Sequence, residues 1–366
     1  MASFGRGRVH KLGDFMSGRS VLAGLVSIGA LWVAGLPLAR AQQPAAAKPP
    51  AAPLTGVEDQ TSCWLRDAAA PTSSTIYTLC QQGKIWLTKD GGKTWSSLNT
   101  GANGRLRALA FLDVNRGMAV GDDGVLLRTT DAGKSWKRVS TGTKDHLLDV
   151  TFIGESGWMA GFEGVIVHST DGGLTWTAQK SGTTQAIEAL FFLDANQGWA
   201  VGWAGTILRT TDGGKTWQTI KTTQSSWSLT CVYFKDAKEG WITGFGGQVL
   251  HSKDGGLTWE AQKCPVQNWL TSIAQDATGR LWMTYDDGLL TSDDGGANWK
   301  MADIGGHYFL GKLFPVEKTM WALGQSAALR QSGKGWKMID SLVPDSTAKL
   351  LQAASSGTAA TKAPQK

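Results

Sequence analysis

Between residues 88 and 336 the chain returns seven times to one eight-residue phrase, and that recurrence limits its fold more than any other feature. The copies are TKDGGKTW (88–95), TTDAGKSW (129–136), STDGGLTW (169–176), TTDGGKTW (210–217), SKDGGLTW (252–259) and SDDGGANW (292–299). An eroded seventh, LRQSGKGW, ends at Trp336. The closing tryptophans lie 41, 40, 41, 42, 40 and 37 residues apart. A second phrase leads each box: GMAVGDDG (117–124), GWMAGFEG (157–164), GWAVGWAG (198–205) and GWITGFGG (240–247), with weaker copies at 76–83, 281–288 and 320–327. A third, apolar segment comes before it, as in LRALAFLD (106–113) and IEALFFLD (187–194).

Each unit therefore holds four segments of strand length, A to D, separated by Gly/Asp turns. None carries a sustained helical period, and strand formers dominate. Four antiparallel strands in some forty residues make a propeller blade. Seven units predict an all-β, seven-bladed β-propeller over residues 58–344. A single unit cannot bury both faces of its sheet, so the ring must close to be stable.

The box falls at the tight C–D turn, and its residue types suit a turn. The carboxylates of Asp90, Asp131, Asp171, Asp212, Asp254 and Asp294 can accept backbone N–H groups that the turn leaves unpaired. The glycines supply positive φ. Trp95, Trp136, Trp176, Trp217, Trp259 and Trp299 would bury area between neighbouring sheets, each N–H needing an acceptor. A catalytic carboxylate is needed once or twice, not in nearly every blade.

Alternating strands sort the turns onto two faces. A–B turns and boxes share one; B–C turns and D–A connections share the other. Around the ring the B–C turns read Gln81-Gln82, Asp122-Asp123, Phe162-Glu163, Trp203-Ala204, Phe245-Gly246, Asp286-Asp287 and Gln325-Ser326. Phe162, Trp203 and Phe245 would form an aromatic arc flanked by acids, with Trp227 on the same face. Such an arc reads as a partner-binding surface; the alternative is that each ring folds onto its own hairpin. A second ring, three residues before each box Asp, reads Leu87, Arg128, His168, Arg209, His251 and Thr291, with Arg330 in the seventh unit. Arg128 and Arg209 are candidates for contacting acidic partner segments. The alternative is that this belt packs between blades and stacks on box tryptophans.

Outside the repeats, Arg6, Arg8, Lys11 and Arg19 precede the apolar run VLAGLVSIGALWVAGLPLA and the sequence ARA at 39–41. This reads as a signal peptide over 1–41, the alternative being an uncleaved anchor. Residues 42–57 read as an Ala/Pro-rich linker and 345–366 as a loose tail. Of the formal charge of +6, residues 1–41 carry +4. The exported part is near neutral, which removes the global argument for nucleic-acid binding. Export permits disulfides. Cys63 at the start of strand A and Cys80 at the end of strand B in blade one are a candidate pair. Cys231 occupies a strand-A place held elsewhere by Ala108, Asp149, Ala189, Thr271 and Gly311, and a Cys231–Cys264 bridge is a weaker option.

The S/T-x-D-x-G-x-T/S-W pattern is the Asp-box, or BNR repeat, which also occurs in sialidases and xyloglucan-cleaving hydrolases. With its GWxxG phrases, seven units and signal peptide, the chain over 58–340 resembles the photosystem II stability/assembly factor family and its bacterial relatives. The resemblance implies a non-enzymatic periplasmic or lumenal factor that binds newly made membrane-protein subunits, without cofactor or metal, here expected as a monomer. In photosynthetic members an arginine-rich patch is implicated. The rival is a glycan-binding or sialidase-like propeller, which a deep axial pocket with convergent acids and arginines would mark. Tyr77, Tyr233 and Tyr285 sit at packing positions rather than as a nucleophile, and Asp122-Asp123 and Asp286-Asp287 sit in turns. His10, His146, His168, His251 and His307 show no metal-ligand spacing.

Overall fold

In the computed structural model the described residues are 65–339, apart from 81–82, 103, 223–226, 326 and 334. The expected signal segment, linker and tail lie outside them. Strands β1 (Leu65–Ala69) to β28 (Gly335–Met338) pair into seven four-stranded antiparallel sheets, each from four consecutive strands. Blade four shows the pattern: β13 (Ile187–Phe192), β14 (Gly198–Gly202), β15 (Ile207–Thr210) and β16 (Gln218–Thr219), hydrogen-bonded in that order. Strand B is the core of each blade, since GMAVG, GWAVG and GWITG are buried at all five positions.

The core is a series of layers between sheets. One joins Trp199, Val201 and Ile207 of blade four to Leu229, Phe234 and Trp259 of blade five. The deepest tryptophans are those of strand B, with Trp158, Trp199 and Trp241 at 0% exposure, while four of the six box tryptophans are half-buried. Four strand-B aromatics reach the carbonyl of the first glycine position in the next blade's box. Tyr77 Oη donates to Ala132 O at 3.1 Å, Trp158 Nε1 to Gly213 O at 3.0 Å, Trp199 Nε1 to Gly255 O at 3.0 Å and Trp241 Nε1 to Gly295 O at 3.1 Å. This explains the second box glycine. A Cβ on Gly256 would lie 2.5 Å from Trp199 Nε1, and its φ of +83° already disfavours a side chain. Trp282 faces the eroded seventh box and donates instead to Asp276 Oδ2 of its own blade at 2.8 Å.

The ring closes without exchanging a strand, because the first and seventh sheets are each continuous in sequence. The seam is a packed layer of Leu65 and Ile76 against Phe314, Val316, Trp321 and Leu323. Trp321 lies against Gly92, where a Cβ would meet its ring at 2.6 Å. Beside the axis Lys312 Nζ pairs with Asp67 Oδ1 at 2.8 Å.

The inner edges are also stitched from blade to blade. Asp67 Oδ2 accepts the Leu109 N–H at 2.8 Å, Asp149 Oδ2 that of Leu190 at 2.7 Å, and Ser272 Oγ that of Leu313 at 3.1 Å. These occupy backbone donors that an unpaired strand edge would leave exposed. They also correct the strand-A alignment. A register shift in each first strand places Asp67, Ala108, Asp149, Ala189, Cys231, Ser272 and Lys312 at one level, with Thr271 and Gly311 one residue earlier.

Candidate functional site: the B–C face

The boxes commit one face of the propeller to structure. In TTDGGKTW, Asp212 Oδ1 accepts the Thr210 hydroxyl at 2.8 Å and the Thr216 N–H at 2.9 Å, and Oδ2 accepts the Thr216 hydroxyl at 2.6 Å. The Thr210 hydroxyl in turn accepts the Gly214 N–H at 2.8 Å. The same network recurs at Asp90, Asp131, Asp171, Asp254 and Asp294. Donation by Thr216, first from its hydroxyl and then from its N–H, holds the Asp212 carboxyl down at about 2. Box and A–B turn are tied together by bonds such as Gly213 N–H to Asn196 O at 2.9 Å, which places them on one face. The indole N–H groups of Trp136, Trp176 and Trp259 stay within their own turns, donating to Gly133, Gly173 and Gly256 carbonyls.

The opposite face is where the blades differ. Each described turn after strand B in blades two to five ends in a left-handed residue: Asp123 at φ 57°, Glu163 at 54°, Ala204 at 51° and Gly246 at 70°. The residue before it is pinned by its backbone. Asp122, Phe162, Trp203 and Phe245 donate N–H groups to the carbonyls of Arg105, His146, Ala186 and Ser228 at 2.9–3.0 Å. One backbone geometry thus presents an acid in blade two and an aromatic in the next three.

Those aromatics remain at the surface. Trp203 is 43% exposed, Phe245 37% and Trp227 62%, while Phe162 is half-buried. The rings meet across blades, with Phe162 and Trp203 centroids 5.5 Å apart. His146 packs edge-on against Phe162 at 5.1 Å, and Trp269 stacks on Phe245 at 4.9 Å. Trp203 Nε1 donates to Glu188 Oε1 at 2.6 Å, and the Gly205 N–H bonds the Trp227 carbonyl at 2.9 Å, so the D–A segment carrying Trp227 is tied to blade four's turn. The rim is charged: Arg107 pairs with Asp122, and His307 Nδ1 lies 3.0 Å from Asp287 Oδ2.

The strand-C belt lies between blades. Arg128 Nε donates to Gly172 O at 3.3 Å and Arg209 Nε to Gly255 O at 2.8 Å, the same box carbonyls that strand-B aromatics seek. His168 stacks on Trp158, His251 on Trp241, and Arg330 sits over Trp321. The expected stacking on box tryptophans is therefore corrected: the partners are strand-B rings, which the hairpin register sets directly opposite. His251 also touches Glu239 at 3.0 Å.

Of the cysteines, Cys80 is disulfide-bonded, and its expected partner Cys63 lies outside the described residues. Cys231 and Cys264 are free, so the weaker bridge does not form. Burial pushes both thiols up, away from the reactive thiolate.

Sequence reasoning missed the axis. A cavity of about 410 Å³ runs there, lined by the first strands and including Arg66, Asp67, Arg107, Asp149, Glu188 and Lys312. Burial raises the Asp149 carboxyl against the pull of Lys312; burial alone would lower the Lys312 ammonium, but the charges of Asp67 and Asp149 outweigh it and raise it. The missed Trp269 had a legible signal: it precedes strand A of blade six much as Trp227 precedes that of blade five. Among the described residues no group of three or more His, Cys, Asp or Glu is placed to hold a metal.

The family model described as photosynthesis system II assembly factor YCF48 matches residues 98–181 and 176–302. A solved structure of YCF48 bound to D1 peptide aligns with TM-score 0.63 at 21% identity, covering 75% of this chain and 94% of that one. YCF48 from Cyanidioschyzon merolae aligns with TM-score 0.63 at 21% identity, covering 75% and 96%. An ancestral GH74 enzyme shares the fold with TM-score 0.63 at 14% identity, over 76% of this chain and 46% of its own. No curated protein matches the chain.

Proposed function

The chain belongs to the family of the photosynthesis system II assembly factor YCF48, and on that premise we propose that it is an exported, non-enzymatic propeller that binds a membrane-protein client through its B–C face. One observation carries this reading: in three successive blades the turn after strand B places an aromatic, Phe162 against Trp203 and Phe245 against Trp269, where equivalent turns elsewhere are polar. Exposed aromatics fixed by backbone bonds lose little entropy on binding and supply the anchors of protein interfaces. The precedent of YCF48 bound to a D1 peptide supports a protein partner. The basic, apolar and small-residue succession over 1–41 supports export.

The test is a triple replacement of Phe162, Trp203 and Phe245 by Ser. The variant is expected to keep its melting temperature within a few degrees and to lose the membrane proteins that co-purify with the parent. Retention of those proteins by the folded variant contradicts the reading. N-terminal sequencing of the periplasmic form is expected to begin after Ala41.

A glycan-directed reading draws on the axial cavity, which does gather acids and arginines. Its carboxylates are engaged, however: Asp67 and Asp149 by neighbouring strands and Glu188 by Trp203. A glycosidase needs two carboxylates directed at one bond. Incubation with sialyl and xyloglucan oligosaccharides is expected to release no sugar; release would favour the enzyme.

A further inference from the structure

The axial cavity contains a guanidinium whose hydrogen-bonding capacity is unspent. Arg66 lines it from β1 and, among the described residues, makes no side-chain hydrogen bond or ion pair. The carboxylates within electrostatic reach are Glu188 and Asp67. Glu188 accepts the Trp203 indole N–H, and Asp67 is shared between Lys312 and the Leu109 N–H. Neighbouring Arg107, paired with Asp122, adds like charge to the same wall. Burial, followed by Arg107, lowers the Arg66 pKa, the pattern of a partly desolvated cation with no close counter-ion.

Trp269 lines the same cavity and supplies an aromatic wall, held by its stack on Phe245. The remaining wall includes Leu190, Phe191, Tyr233 and Phe309, and the volume of about 410 Å³ falls in the range of small-molecule pockets.

We propose that the axial cavity binds a small organic carboxylate with an apolar body, the carboxylate on Arg66 and the body against Phe191, Tyr233 and Trp269. The guanidinium fork matches a carboxylate. The lining sets Arg66, Arg107 and Lys312 against Asp67, Asp149 and Glu188. A monoanion suits that near balance, whereas a phosphate dianion would meet three acids. The site goes beyond client docking on the aromatic arc, and either can fail without the other.

The experiment is calorimetric titration of the purified propeller with N-acetyl-phenylalanine, its C-terminal amide and benzoate. The acid is expected to bind and the amide not. Arg66→Gln is expected to weaken the acid at least about tenfold, with Arg66→Lys retaining part. Trp269→Leu removes the aromatic wall and is expected to weaken binding severalfold. Preference for N-acetyl-phenylalanine over benzoate assigns the carboxylate to a peptide end; equal binding assigns it to free small acids. A Phe162→Ser variant, whose ring meets His146 and Trp203 rather than the cavity wall, is expected to bind the acid unchanged. Failure of both acids to bind, equal binding of the amide, or an Arg66→Gln protein with a native melting curve and undiminished affinity overturns the proposal.

Discussion

The buried Gly255 carbonyl, which receives two donors from blade four, gives the sharpest energetic test of how blades are held together. Trp199 Nε1 lies 3.0 Å from it and Arg209 Nε 2.8 Å. Trp199→Phe keeps an aromatic ring for the stack on Phe234, now at a centroid distance of 3.6 Å, and loses the N–H and part of the ring. The lost bond costs about 0.5–1.5 kcal/mol net, and the space left behind about 1–2 kcal/mol more. Arg209→Met preserves much of the stem and removes the second donor, for about 1 kcal/mol. In either single variant the carbonyl keeps one partner. In the double variant it keeps neither, and an orphaned buried acceptor costs about 1–3 kcal/mol. The double change should therefore exceed the sum of the singles by about 1–2 kcal/mol. Urea unfolding followed by circular dichroism reads this from midpoint shifts at constant slope, and the cycle cancels the cavity term. Additivity within about 0.5 kcal/mol would refute the shared-acceptor account.

Other outcomes follow from the same contacts. Asp212→Ala removes the acceptor of three turn bonds at a half-buried site and is expected to cost about 1–2 kcal/mol in the same assay, against nearly no change if the box is dispensable. The carboxyls of Asp131, Asp212 and Asp294 are held at about 2, first by Ser135, Thr216 and Asn298 side chains. Their folded pKa lies below the unfolded value, so their contribution is complete above about pH 4 and disappears as pH falls towards 2. An acid titration of the melting temperature should drop in that window, and a flat profile there would contradict it. Lys312→Met strands Asp67 beside the closure seam. With about a third of the Lys312 side chain facing the cavity, the expected loss is about 2–4 kcal/mol. Adding Asp67→Asn should recover part of it in thermal melts.

The periodicity contained the blade count, the strand order and the sorting of turns onto two faces, because a repeated unit has one solution for all its copies. It also contained the arc, since Phe162, Trp203 and Phe245 stand where the copies cease to agree. Contacts between units were harder to read. The stacking of His168 on Trp158 depends on hairpin register, and an alignment of boxes directed attention to the wrong tryptophan. The register shift in strand A displaced Ser272 and Lys312 by one residue, which hid the axial charges. Asp67 and Lys312 stand at opposite ends of the repeat array and become neighbours when the ring closes. No local pattern announces such a pair.

The central claim is that the client meets the B–C face, and photo-crosslinking from defined positions tests it most directly. A crosslinking residue at Trp203 samples that face; one at Leu174, 57% exposed in the box of blade three, samples the other. The account predicts a membrane-protein adduct from position 203 and none from 174, with the 203 adduct weakened when Phe162 and Phe245 become Ser. An adduct from 174 with none from 203 would contradict it.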